Sequence, residues 1–249
     1  MRIEKKGALH FSLIDPEKAA SINIKAVAEV SERAGTDAFL IGGSTGVMQN
    51  DVDELIDNVR KYSSLPIIIF PGGVSNISSK ADAILFMSLL NSSNPFYIIG
   101  AQMLGAPIVK KYGLEALPTA YIIIGYGGAA GYVGEARPIP YEKPELTAAY
   151  AMAAELLGMR FAYLEAGSGA PKPVPVEHVS FVRRTTELKI IVGGGIKSRE
   201  DAYKATAAGA NIIVTGTAIE DDPLKVEKRL KNIIGGLRDG VQARSLKQR

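Results

Sequence analysis

The chain has no cysteine and only two histidines, His10 and His178, in 249 residues. The first absence excludes disulfides, iron–sulfur clusters and thiolate zinc sites, and it leaves the redox compartment undetermined. The second excludes a three-histidine zinc centre. A Ser-His-Asp triad would need one of these two residues, and neither lies near a nucleophile motif. Long apolar runs are missing too: none approaches the ~18 residues needed to span a bilayer. The N-terminal MRIEKKGALHFSLID carries charge but no long apolar core, so no signal peptide is expected and a soluble, cytoplasmic protein is. Charge of either sign is nearly balanced, with 29 bases against 26 acids for a net charge of +3. That is too little to argue for a nucleic-acid partner without a clustered basic face. The basic segment from Arg238 to Arg249 reads as well as a solvated or frayed end.

What the chain does have is alternation. Eight short apolar runs recur: ALHFSLI (8–14), DAFLIGG (37–43), PIIIF (66–70), AILFMSLL (83–90), TAYIIIG (119–125), FAYLEA (161–166), KIIVGG (189–194) and NIIVTG (211–216). Runs this short, β-branched and apolar on both faces match buried parallel strands. Amphipathic segments separate them. Val52, Leu55, Ile56 and Val59 keep helical spacing, with Asp51 and Glu54 placed like a capping box. Pro144 opens a segment that Gly158 closes, Val176, Val179 and Val182 form a shorter stripe, and Ser198 opens a helix toward Gly209. Val226, Leu230, Ile233, Ile234 and Leu237 follow a possible Asp222 cap and Pro223 at the first helical position. Eight such units predict an α/β fold, a TIM-type (β/α)8 barrel. A doubly wound sheet is the rival, but GxGxxG is missing after the first strand. Only PGGVSNISSKAD separates the third and fourth strands, so the third helix is expected to be absent or replaced by a loop. No linker marks a second domain, so 1–249 reads as one barrel domain with a basic tail from about 238.

In such a barrel the chemistry sits at the C-terminal ends of the strands. Those positions hold Asp15-Pro16, Gly42-Gly43-Ser44-Thr45-Gly46, Glu165 with Gly167-Ser168-Gly169, Gly193-Gly194-Gly195, and Gly216-Thr217. Bare amides after strands seven and eight suit a phosphate, although tight turns alone would use the same glycines. Asp15 and Ser44 offer hard oxygen ligands for Mg2+, while Asp15 would equally serve as an N-cap before Pro16 and Ser44 as a turn residue. Glu165 can accept a proton from a substrate hydroxyl, or pair with a lysine or arginine. Tyr163 shares its strand face and is as well placed for core packing. His10 reads as a structural histidine. The glycine-rich stretch 124–140 is long enough to cover a site, and Arg137 within it could meet an anion.

Taken together, HFSLIDPEK, IGGSTGV, NPFYIIGAQ, YLEAGSGAP, VGGGIKSREDA and TGTAIE resemble the geranylgeranylglyceryl phosphate synthase family, in order and spacing, over essentially the whole chain. The resemblance implies a modified TIM barrel lacking its third helix. It also implies Mg2+-dependent transfer of a geranylgeranyl group from its diphosphate to sn-glycerol 1-phosphate, the first ether bond of archaeal membrane lipids. By matching motif positions, Asp15 and Ser44 would hold the Mg2+. Tyr163, Leu164, Glu165, Ala166, Gly167, Ser168 and Gly169, then Gly194, Gly195, Gly216 and Thr217, would bind glycerol phosphate. Glu165 is the candidate base, with Tyr163 beside it. The related bacterial heptaprenylglyceryl phosphate synthases carry a lysine two residues before the motif aspartate. Leu13 stands there in this chain, which favours the archaeal-type branch. The resemblance further implies a homo-oligomer, dimer or hexamer, and transient contact with a membrane surface for a lipid product. Phe86, Phe96, Tyr97 and Ile98 are candidate lining for a prenyl groove, and equally plausible as core or interface. Another phosphate-binding barrel enzyme, such as a sugar-phosphate isomerase, is the alternative reading, and a non-catalytic barrel the third.

Overall fold

The structure is a computed structural model that describes residues 2–19, 21–43, 46–216 and 223–247. Eight parallel strands close into a barrel in sequence order: β1 (Leu9–Ile14), β2 (Ala38–Ile41), β3 (Ile67–Ile69), β4 (Ala83–Leu89), β5 (Glu115–Ile123), β6 (Phe161–Glu165), β7 (Lys189–Gly193) and β8 (Ile212–Thr215). The closure pairs β1 with β8, Leu9 opposite Ile212 and Phe11 opposite Val214. Each strand falls within or against one of the apolar runs. β5 starts earlier than its run, at Glu115, because it pairs with the full length of β4 from Ala83 onward.

Strand side chains alternate between two cores. Phe11, Leu40, Leu85, Tyr121, Tyr163 and Val214 point into the barrel and fill it. Their neighbours Ile14, Ile41, Ile69, Ile122, Leu164 and Ile213 point outward against the helices. Burial on both faces is what makes each run apolar without a polar gap.

The surrounding helices are α1 (Arg2–Lys6), α2 (Pro16–Ala19), α3 (Ile24–Ala34), α4 (Gln49–Arg60), α5 (Ala101–Tyr112), α6 (Gly128–Val133), α7 (Pro144–Leu156), α8 (Val176–Thr185), α9 (Arg199–Ala208) and α10 (Pro223–Lys247). In α4, Val52, Leu55, Ile56 and Val59 are buried as their spacing requires. Each contributes roughly 1.5–3 kcal/mol through burial. The helix begins two residues before Asp51, however. Asp51 is the third helical residue, and its carboxylate accepts the Met48 N–H at 2.8 Å. The expected Asp51–Glu54 box is therefore replaced by one turn earlier in the chain. At α9 the expected cap is present: Ser198 accepts the Asp201 N–H, and Asp201 accepts the Ser198 N–H.

The basic segment after Arg238 continues α10 to Lys247 instead of fraying. Arg244 ties it to the barrel floor, donating to the carbonyls of Ala210 and Gly7 at 3.2 and 2.8 Å. Between β3 and β4 the described residues hold no α-helix, only the single 3-10 turn Val74–Asn76. The strands remain paired there, and the gap is in the helical layer outside them. One π turn, Phe96–Gly100, widens the entry to α5 on the far side of the gap.

Candidate functional site

The strand ends converge on one mouth. Of the residues nominated from sequence, Asp15, Tyr163, Glu165, Ser168, Gly169, Gly194, Gly195 and Gly216 all line it. The register explains the convergence. Glu165 lies opposite Ile123 on one side and Gly193 on the other, one inward row above Tyr163. Leu164 and Ala166 do not reach the mouth, because alternation turns their side chains into the outer core. Gly167 is buried behind Glu165. Ser44 and Thr217 lie outside the described residues.

Glu165 is only 6% exposed. Its Oε2 accepts the Tyr121 hydroxyl at 3.1 Å, and its Oε1 accepts the Gly167 N–H at 2.6 Å. Its described partners are thus phenols and a backbone amide, and no lysine or arginine among the described residues pairs with it. Burial lifts the Glu165 carboxyl above the usual carboxylate range, against the Gly167 amide and the Tyr121 and Tyr163 phenols, which hold it down. Burial and the Glu165 charge push both phenols well above the ordinary tyrosine range, so they stay protonated as donors. The arrangement can hold a carboxylate of raised basicity toward whatever occupies the mouth.

Beneath the carboxylate three aromatic rings meet. Tyr121 and Tyr163 stack edge to face at 5.1 Å, and Phe70 lies 5.9 and 5.6 Å from them. Phe70 and Tyr121 line a second cavity as well. This is an apolar groove running out where the β3–β4 connection carries no α-helix, past Val74, Ile77, Phe86, Met87 and Tyr97. The two cavities share Gly43, Phe70, Tyr121 and Ala130. Of the four residues suggested for such a groove, Phe86 and Tyr97 line it. Phe96 turns outward, 45% exposed, and Ile98 contributes a carbonyl that accepts Ser88 Oγ at 2.5 Å.

The rest of the rim follows from loop packing. The stretch 124–140 folds in part as α6, and the Gly127 N–H donates to the Ala166 carbonyl at 2.9 Å. This sets Ala129 and Ala130 at the mouth. Arg137 is exposed and belongs to neither cavity. His10 is fully buried on the outer face of β1, between the hydroxyls of Thr36 and Thr215 at 3.0 Å each. Burial lowers its pKa to about 4, so it is a neutral structural residue.

The mouth also tests whether its residues suit a divalent cation. Asp15 Oδ1 occupies the space a Cβ on Gly43 would fill, 2.5 Å away, and accepts the Glu17 N–H at 3.1 Å. Among the described residues no group of three or more His, Asp or Glu side chains gathers. One carboxylate ligand is enough to fit Mg2+, which keeps most of its shell for water and substrate phosphates. Sequence reasoning missed Lys18, Phe70 and Tyr121 at this site. Lys18 stands three residues after Asp15 in the quoted HFSLIDPEK, and Tyr121 sits two residues before Ile123 on the inward face of β5. Phe70 carried no signal beyond being the last apolar residue of its run.

A closed eight-stranded α/β barrel with a glycine-lined mouth, a buried carboxylate and an adjoining apolar groove is the class that fold and site define. The chain belongs to the PcrB family, whose family model matches residues 1–237. It is 52% identical over 240 residues to the geranylgeranylglyceryl phosphate synthase of Pyrococcus horikoshii, covering 96% of this chain and 93% of the relative. It is 50% identical over 236 residues to the synthase of Thermococcus gammatolerans, covering 94% of each. The crystal structure of (S)-3-O-geranylgeranylglyceryl phosphate synthase from Thermoplasma acidophilum, in complex with substrate sn-glycerol-1-phosphate, is similar at a TM-score of 0.89 and 38% identity, with 96% of both chains covered.

Proposed function

We propose that the chain is a prenyltransferase that moves a geranylgeranyl group from its diphosphate to the hydroxyl of sn-glycerol 1-phosphate, releasing diphosphate and forming the first ether bond of archaeal-type membrane lipids. The observation that carries this reading is the junction of the two cavities. An apolar groove ends where a polar, glycine-lined mouth begins, with Glu165 and Tyr121 beside the shared wall. One substrate with a long apolar tail and a second that is small and anionic would meet there. The names and the bound substrate of the relatives support the same reading.

In this mechanism the amides around Gly194, Gly195 and Gly216 hold the glycerol phosphate. Glu165 accepts the hydroxyl proton as the ether bond forms, and Tyr121 and the Gly167 amide hold its carboxylate in place. Asp15 is the described residue that would hold Mg2+, and Ser44 is its proposed companion. The ion supplies neutralisation of the charge that develops on diphosphate. The apolar lining of the groove keeps water away from the allylic carbon.

The chain is read as a cytoplasmic homo-oligomer, dimer or hexamer. Exposed Leu146, Met152 and Leu156 along α7, with Leu157 just after it, support the oligomer. No helix among the described residues is long and apolar enough to cross a membrane, and contact with a membrane surface would be transient, at product release.

The test is incubation of labelled glycerol 1-phosphate with prenyl diphosphates of graded length, with and without Mg2+. Organic-soluble label that requires Mg2+ is expected. Glu165→Gln is expected to lower kcat by about 10²–10⁴ with an unchanged circular-dichroism spectrum. Label that stays in the aqueous phase under all conditions overturns the assignment and returns the sugar-phosphate isomerase reading.

A further inference from the structure

The junction between groove and mouth contains an aromatic ring that the mechanism above does not use. Phe70 follows β3 beside the gap in the helical layer, is only partly buried, and lines both cavities. Its ring packs against Tyr121 and Tyr163, the two rings beneath Glu165. A prenyl tail lying in the groove with its reacting end at the mouth must pass Phe70 and Tyr121, because among the described residues the cavities share these two and the small residues Gly43 and Ala130.

Resting on the prenyl-transfer reading, we propose that Phe70 is a catalytic residue whose ring contacts the allylic end of the prenyl diphosphate and stabilises the positive charge that grows there during transfer. In that step the bond between C1 and the diphosphate oxygen breaks, and its electron pair leaves with diphosphate. The glycerol hydroxyl oxygen forms the new bond to C1, and its proton passes to the Glu165 carboxylate. Bond breaking ahead of bond making leaves C1 and C3 of the allyl group electron-poor. Ring quadrupoles attract such charge, and a dry site strengthens the attraction. The glycine-rich loop after Phe70 brings no lysine or arginine to this wall of the groove, and the polar atoms of Tyr121 are engaged with Glu165.

The test replaces Phe70 with 4-fluoro-, 3,5-difluoro- and 3,4,5-trifluorophenylalanine by nonsense suppression, and separately with leucine. Fluorination drains the ring of charge while keeping its shape, so packing stays in place. We expect log kcat to fall steadily along the fluorinated series with both KM values within about twofold of wild type. Phe70→Leu should lower kcat about 30-fold, equivalent to about 2 kcal/mol. An active wild type with a flat fluorine series, or losses confined to KM, overturns the role of Phe70 and leaves the transferase standing. A wild type that forms no organic-soluble product overturns the transferase reading and this inference with it.

Discussion

Gly194 and Gly169 provide a matched pair for testing how the mouth is built. Both have positive φ, 73° and 72°, so an alanine at either pays the same left-handed backbone penalty, about 1–2 kcal/mol. They differ in what a side chain would meet. A Cβ at Gly194 would stand 2.4 Å from Glu165 Oε1 and 2.6 and 2.7 Å from the Gly167 carbonyl and amide, whereas one at Gly169 meets nothing within 4 Å. The contacts at Gly194 are backbone and a buried carboxylate already bonded on both oxygens, so relief requires moving the loop. Such overpacking costs about 1–3 kcal/mol more. For a chain of this size 1 kcal/mol shifts Tm by about 2–4 °C. Gly169→Ala should therefore lower Tm by about 2–8 °C, and Gly194→Ala by about 4–20 °C. Thermal unfolding followed by circular dichroism reads the difference, and steady-state kinetics adds a second measure. Gly194→Ala displaces Glu165 and should reduce kcat at least tenfold, while Gly169→Ala should act mainly on KM for glycerol phosphate. Equal Tm losses for the two, or a full kcat in Gly194→Ala, would refute the packing drawn for this loop.

Tyr121→Phe removes one donor that holds the Glu165 pKa down. With Glu165 as the proposed base, whose protonated acid cannot act, activity should fall as pH drops through that pKa, and the variant's acidic limb should lie at higher pH than wild type; coincident kcat–pH profiles would count against the contact. His10 titrates near 6.5 unfolded but about 4 folded, so the folded state disfavours its proton. Stability is complete above 6.5 and is lost toward pH 4, by about 3 kcal/mol from this group. Urea unfolding at pH 7 and pH 4.5 should show a smaller acid-induced loss in His10→Asn than in wild type, and equal losses would contradict it. On the proposed Mg2+ dependence, Asp15→Asn should raise the Mg2+ concentration needed for half-maximal rate by tenfold or more while leaving Tm within a few degrees; an unchanged requirement would remove Asp15 from the proposed metal site.

The eight strands, their order, the missing third helix and the positions of the acids and glycines at the strand ends were all legible in the residues alone. These depend on short-range regularities. A run buried on both faces must be apolar throughout, and a segment such as 71–82 without helical periodicity has no stripe to pack against the barrel. The differences are local competitions that residue type does not decide: the cap of α4 falls at Met48, not Asp51, and the basic C-terminal segment continues a helix because Arg244 finds the Gly7 and Ala210 carbonyls. Only the closed barrel decided the environment of Glu165. Tyr121 lies 44 residues away in the chain and reaches its carboxylate because β5 and β6 pair with Tyr121 opposite Tyr163. A shift of that register by one residue would turn Tyr121 outward into the helical layer. Phe70 has its place at the junction for the same reason: the helical layer is open beside it, and the two rings it touches come from strands that no local pattern brings near β3.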